Sequence, residues 1–99
     1  IALPGPGTVS GLGGRRDDTD IFYTYTSFNY PPTIFRYDVA AKTSTPFREV
    51  TIPGFRADDY EVTQVFVTSR DGTKVPMFLT HKRGLQKTGQ NPTLMYGYG

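Results

Sequence analysis

The chain has 99 residues, of which 11 are basic and 9 acidic, giving a formal net charge of +2, and it contains no cysteine. This near-neutral and scattered charge argues against a nucleic-acid partner, and the missing thiols exclude a disulfide framework and a cysteine-held zinc site. No apolar stretch approaches the roughly 18 residues that a membrane-spanning helix needs, so no membrane partner is expected.

In chain order, the opening IALPGPGTVSG has neither a basic leader nor a long apolar run, so it does not read as a signal peptide. GLGG at residues 11–14 lacks the G-x-G-x-x-G spacing, and no helix follows to present its N-terminus to phosphate. RRDDTD at residues 15–20 cancels its own charge and reads as a solvated loop. IFYTYTSF at residues 21–28 is the clearest early strand, because β-branched and aromatic residues fill every position but Ser27. NYPP interrupts it, since two prolines cannot donate to a ladder. TIFRYDV at residues 33–39 then resumes as the second arm of a hairpin looped around residues 29–32. AAKTST reads as the next turn, and FREVTI at residues 47–52 as a further short strand.

The texture changes at PGFRADD, residues 53–59. Beyond it, YEVTQVFVTS (60–69) and KVPMFLTHK (74–82) form a longer hairpin through RDGT. Asp-Gly is a strong hairpin signal because Gly72 accepts positive φ without steric cost. A two-residue turn and a three-residue turn with a bulge remain equally open. RGLQKTGQNP is a polar loop, delivering the chain into a final strand over residues 93–96.

Candidate chemistry is sparse. None of Ser10, Ser27, Ser44 and Ser69 lies in a Gly-x-Ser-x-Gly elbow. The lone histidine, His81, sits at the far end of the hairpin from Ser69, on the order of 25 Å away along the ladder. A nucleophile and its base need about 3 Å, so the two are no dyad and His81 is no catalytic base. Asp58, Asp59 and Glu61 have no recognisable metal-ligand spacing, and Asn91 is followed by proline, which rules out a glycosylation acceptor. Phe22, Tyr23, Tyr25 and Phe28 have acidic rather than basic neighbours, as packing residues do and nucleic-acid stacking platforms do not. At the closing YGYG two readings stand. The phenol of Tyr98 is a neutral donor suited to a developing oxyanion, or the stretch is an ordinary aromatic-glycine turn.

Three segments carry a resemblance: TSFNYPPTIFRYD (26–38), VTSRDGTKVPMFLTHKRG (67–84) and NPTLMYGYG (91–99). In order and spacing they resemble prolyl oligopeptidase, a serine peptidase family in which a β-propeller covers an α/β-hydrolase domain. The resemblance implies a mostly β chain with two parts. Residues 1–56 would be the C-terminal part of a seven-bladed β-propeller, and residues 57–99 the N-terminal strands of the α/β-hydrolase catalytic domain. It further implies a parent that hydrolyses short proline-containing peptides on the carboxyl side of proline, through a Ser-His-Asp triad encoded outside these residues. Tyr98 would donate to the oxyanion, and no metal or organic cofactor is implied. The lack of an initiator methionine and the stop within YGYG fit a piece of a longer chain, inactive by itself. The parent is expected to be monomeric and cytoplasmic. Competing readings are an oligopeptidase B-like enzyme, which shares YGYG but cleaves after basic residues, and a non-catalytic β-rich interaction module.

Overall fold

A computed structural model describes residues 1–97. Among these residues six strands form two separate antiparallel sheets. β1 (Thr8–Gly13), β2 (Asp20–Ser27), β3 (Tyr30–Asp38) and β4 (Thr43–Arg48) make a four-stranded meander in the order β1-β2-β3-β4. A link over residues 49–56 leads to a single 3-10 turn (Ala57–Asp59), then to β5 (Tyr60–Thr68) and β6 (Lys74–Lys82), which form the second sheet.

Strand alternation builds the first core. Tyr23 and Tyr25 on β2 and Phe35 on β3 share one face and are buried, with Val9, Tyr30 and Tyr37 half-buried around them. The register sets Tyr23 opposite Phe35, and their rings stack at 5.3 Å; Tyr25 meets Tyr30 edge-on at 5.2 Å. The two buried phenols keep partners. Tyr23 donates to Ser44 Oγ at 3.0 Å, and Tyr25 points to the Pro6 carbonyl at 3.5 Å. On the other face Asp20 lies directly opposite Asp38, a repulsive pairing. Arg36 relieves it by donating to both Asp20 oxygens at 2.8 and 2.9 Å. Those hydrogen bonds hold the Asp20 carboxyl below its ordinary range.

Two local expectations need correction, and one strand was not anticipated. Pro31 and Pro32 do not end the hairpin but lie inside β3. Register shifts between Tyr25 and Ser27 at that point, so the prolines occupy a bulge where no ladder donor is demanded. The connecting turn is only Phe28 and Asn29. Residues 43–45, read as turn, begin β4 instead, after Lys42 takes the left-handed conformation (φ 55°) and the Ala41 N–H donates to the Asp38 carboxylate at 2.7 Å. β1 was hidden by its glycines: Gly11 (φ 72°) lies within a bulge between Ser10 and Gly13 that keeps the strand paired to β2.

The second hairpin settles the open register. Ser69 N–H bonds Thr73 O at 2.9 Å and Gly72 N–H bonds Ser69 O at 3.0 Å, with Gly72 at φ 87°. This is a three-residue loop with a glycine bulge. Thr68 then faces Lys74 and, two pairs on, Phe66 faces Pro76. By the alternation of ladder bonds from Ser69, Phe66 and Pro76 form a pair without mutual hydrogen bonds, so Pro76 costs the hairpin nothing.

The surface is larger than a self-sufficient domain should show. It measures 8390 Å², against about 5,600 Å² from the size scaling of compact monomers. The radius of gyration is 17.3 Å, against about 13 Å for a compact chain of this length. The second sheet contributes no fully buried hydrophobic side chain, and Phe66, Val67, Val75 and Phe78 are exposed on it. The 99 residues alone should therefore unfold over a broad range or aggregate; a sharp cooperative transition of a soluble monomer, followed by circular dichroism, would contradict this. Arg36→Met should raise the Asp20 titration midpoint read by NMR. Because that carboxyl is depressed by folding, its contribution to stability exists above its unfolded pKa and disappears as pH falls through the folded one.

Candidate functional site

The residues singled out by sequence are divided between the first sheet, which holds Ser10, Ser27 and Ser44, and the second hairpin with the loop that follows it. Ser69 and His81 stand at opposite ends of the β5–β6 ladder, Ser69 in the turn and His81 opposite Glu61. Ser69 Oγ donates to the Asp71 carboxylate, which also accepts from Thr73 N–H at 3.0 Å. The Ser69 hydroxyl and then the Thr73 amide hold Asp71 at a pKa of about 2. Ser27 donates to Asn29 Oδ1 and Ser44 accepts from Tyr23, so these hydroxyls brace turns and core.

His81 is more enclosed than a strand-end residue would suggest, its side chain 12 % exposed. Nδ1 lies 2.9 Å from its neighbour's carbonyl, Lys82 O, and 3.3 Å from Glu61 Oε1. With Nδ1–H donating, Nε2 is left as a buried acceptor, and it has no partner among the described residues. A carboxylate thus orients the imidazole, which the sequence did not suggest because Glu61 and His81 are 20 positions apart. Among the described residues no nucleophile joins them.

From β6 the chain turns at Arg83, which is tied back to the 3-10 turn: its N–H bonds Asp59 O at 2.9 Å and its Nε bonds Asp58 O at 2.7 Å. These backbone carbonyls, rather than the Asp58 and Asp59 carboxylates, are what the segment uses, and no cluster of three or more metal-ligating side chains occurs among the described residues. The polar loop then holds itself together, with Asn91 Nδ2 donating to Gln86 O at 2.9 Å and Thr93 Oγ1 to Asn91 O at 2.9 Å.

The final strand expected over residues 93–96 does not form. Residues 92–97 have no regular structure, and the Leu94 side chain is 95 % exposed. A β run needs a ladder partner, and no described strand lies beside this one. A Cβ on Gly97 would meet nothing within 4 Å, so its surroundings do not demand glycine. Tyr98, the candidate oxyanion donor, lies outside the described residues.

Between the two sheets are two hollows flanking the Phe28–Asn29 turn. One, of about 410 Å³, is apolar and lined by Pro6, Gly7, Thr8, Phe28 and Phe78. The other, of about 420 Å³, is polar and includes Asn29, Tyr30, Asp58, Glu61 and Arg83. Burial, reinforced by the negative charge of Glu49, pushes the Tyr30 phenol up, so it stays a neutral donor in the polar hollow.

Comparison with known proteins accounts for this arrangement. Residues 1–50 match the family model described as the prolyl oligopeptidase N-terminal β-propeller domain. Over all 99 residues the chain is 44 % identical to a prolyl endopeptidase of Elizabethkingia meningoseptica, covering 14 % of that protein. It is 42 % identical over 90 residues to a prolyl oligopeptidase of Omphalotus olearius, covering 89 % of this chain and 12 % of that one. The chain thus spans about one seventh of the length of these relatives. Among solved structures, one from a study of two prolyl endopeptidases superposes with a TM-score of 0.72 at 41 % identity, covering 87 % of this chain and 13 % of that one. Prolyl oligopeptidase B of Galerina marginata, bound to a 35mer substrate, gives 0.66 at 35 % identity over 81 % of this chain and 12 % of that one. With a blade-like meander in its first half and prolyl peptidase relatives along its whole length, the chain belongs to the prolyl oligopeptidase family.

Proposed function

We propose that the full-length protein is a serine endopeptidase that cleaves short peptides on the carboxyl side of proline. The observation that carries this reading is the reach of the similarity: the match to the Elizabethkingia prolyl endopeptidase continues past the propeller residues through all 99 positions, and so includes YGYG. Both the Elizabethkingia and the Omphalotus relatives are prolyl enzymes, which favours prolyl over basic-residue specificity. Peptides as the substrate class draw support from the Galerina relative, which was solved with a 35mer.

In this reading residues 1–56 close the propeller and residues 57–99 begin the hydrolase domain, with the 49–56 link and the 3-10 turn as the crossing. The serine, aspartate and histidine of the triad lie beyond these residues, and the protein works as a cytoplasmic monomer. Serine attacks the carbonyl carbon of the proline residue itself, histidine takes the serine's proton, and aspartate orients the histidine. Tyr98 donates its phenolic proton to the oxygen that becomes negative in the tetrahedral intermediate. It acts more strongly there than on the neutral ground-state carbonyl, which is the condition for accelerating the step. The role of His81 is structural, since with Glu61 it braces the base of the hairpin from which the Tyr98 segment departs.

Two substitutions in the full-length protein separate these roles. Tyr98→Phe should lower kcat by about 10²–10³ with the melting temperature nearly unchanged, because one oxyanion donor is removed from an otherwise intact site; unaltered turnover would sink the assignment. His81→Gln should leave kcat close to wild type while lowering the unfolding free energy by about 1–3 kcal/mol, the range for an enclosed hydrogen-bonding group. A thousandfold loss of kcat at unchanged stability would instead make His81 catalytic. Labelling by a fluorophosphonate probe checks the serine-type chemistry independently.

A further inference from the structure

The turn that joins β5 to β6 sets side by side two groups that can react with each other. Asp71 carries a carboxyl group and Gly72 the next amide nitrogen, which has no Cβ beside it to shield it. The Asp71 carboxylate accepts from the Thr73 N–H at 3.0 Å. Its side chain therefore curls back over the Gly72 peptide instead of extending away from the chain.

Ser69 restrains both partners of this pair. Its Oγ donates to the Asp71 carboxylate, and its backbone carbonyl accepts the Gly72 N–H at 3.0 Å. The first bond keeps the carboxyl in its charged form, which an attacking nitrogen cannot readily displace. The Asp71 pKa of about 2 has that hydroxyl as its largest cause, with the Thr73 amide second. The second bond occupies the N–H of the nitrogen that would attack and fixes the plane of its peptide. A further bond, from Ser69 N–H to Thr73 O at 2.9 Å, closes the loop around them. Every one of these contacts lies within residues 69–73, so the arrangement belongs to the turn itself and not to what packs against it.

We propose that Asp71-Gly72 is a latent covalent modification site, an aspartyl-glycyl linkage that isomerises spontaneously once Ser69 releases it. With the carboxyl protonated, the Gly72 nitrogen attacks Asp71 Cγ. The N–Cγ bond forms, the Cγ–OH bond breaks, and the hydroxyl leaves with the amide proton as water. The product is a cyclic succinimide. Water then adds to the Asp71 backbone carbonyl carbon, the bond from that carbon to the Gly72 nitrogen breaks, and the nitrogen regains its proton while staying on Cγ. The chain now runs through the former side chain and leaves a free α-carboxylate. The water lost is regained, and nothing is oxidised or reduced. An extra methylene in the backbone no longer fits a three-residue loop, so the damage falls first on the pairing of Thr68 with Lys74.

The test uses the full-length protein, incubated at near-neutral pH and digested at intervals. Isoaspartate at residue 71 is read by electron-transfer fragmentation of the peptide that contains it. Methyl transfer from labelled S-adenosylmethionine, with an isoaspartyl methyltransferase as the probe, reads the new α-carboxylate independently. Ser69→Ala removes the hydroxyl and keeps the carbonyl. It should raise the rate of isoaspartate formation about fivefold over wild type, the effect of losing roughly one net hydrogen bond. Ser69→Thr restores a hydroxyl and should return the rate close to wild type. Thr68→Val removes the hydroxyl that accepts from Lys74 Nζ at 2.5 Å, loosening the same end of the hairpin while leaving Ser69, Asp71 and Gly72 in place. It should leave the rate unchanged. Adding Asp71→Glu to Ser69→Ala should abolish the signal, because the longer side chain closes its ring poorly. A wild-type rate in Ser69→Ala would overturn the proposal. So would an equal rise in Thr68→Val, which would reduce the effect to a loosened hairpin. The readout needs no catalysis, so it stands or falls separately from the peptidase reading.

Discussion

The four-stranded sheet depends on three buried rings, two stacked and the third meeting one of them edge-on. Tyr23, Tyr25 and Phe35 are the hydrophobic side chains that the described residues fully bury, and all three lie on the two central strands. Their burial requires that β2 and β3 pair with odd-numbered residues facing together, because a one-residue slip would turn the rings to the opposite face. The bulges then have a clear purpose. Irregularities at Gly11, at Pro31–Pro32 and near Phe47 lie at the ends or outer strands of the sheet and leave the register at Tyr23 and Phe35 intact.

The remaining structure hangs from that core in graded fashion. The blade has a core, the second sheet has a half-buried face, and the segment after residue 91 has neither. Burial peaks in β2 and β3, and beyond the blade self-bonded turns become more important: Ser69 with Asp71, Arg83 with the 3-10 turn, Asn91 with Gln86. Such polar turns hold local shape without supplying much stability, since each net hydrogen bond contributes about 1 kcal/mol. The exposed apolar residues of β5 and β6 form a surface suited to cover by further chain, in keeping with relatives some seven times longer.

This gradient also bears on chemistry. A phenol that stabilises an oxyanion must be held to within a fraction of an ångström by its supporting shell. The described residues leading to Tyr98 provide such support only as far as the Arg83 and Asn91 hydrogen bonds. Precision at the proposed site must therefore come from packing contributed by other parts of the protein and from the angle at which the hairpin is held.

Local signals were readable from the residues alone: the alternation of Ile21 to Phe28, the Asp71-Gly72 turn, and the change of texture at Pro53. Each depends on neighbours within a few positions, and propensity and φ preference act at that range. YGYG and the segments before it marked the family, which three separated stretches in one order can do where a single motif cannot. What only the tertiary structure decided involves partners far along the chain. Pro31 and Pro32 stay in a strand because β3 bulges there opposite β2, and β1 forms despite its glycines because β2 supplies a ladder. Residues 93–96 fail to form a strand because no described neighbour supplies one. The Asn29 side chain grips residues 57 and 60, roughly thirty positions away, and His81 meets Glu61 across a hairpin. Hydrogen bonds and burial are satisfied in space rather than along the chain, so sequence can name the donor and the ring but not what they face.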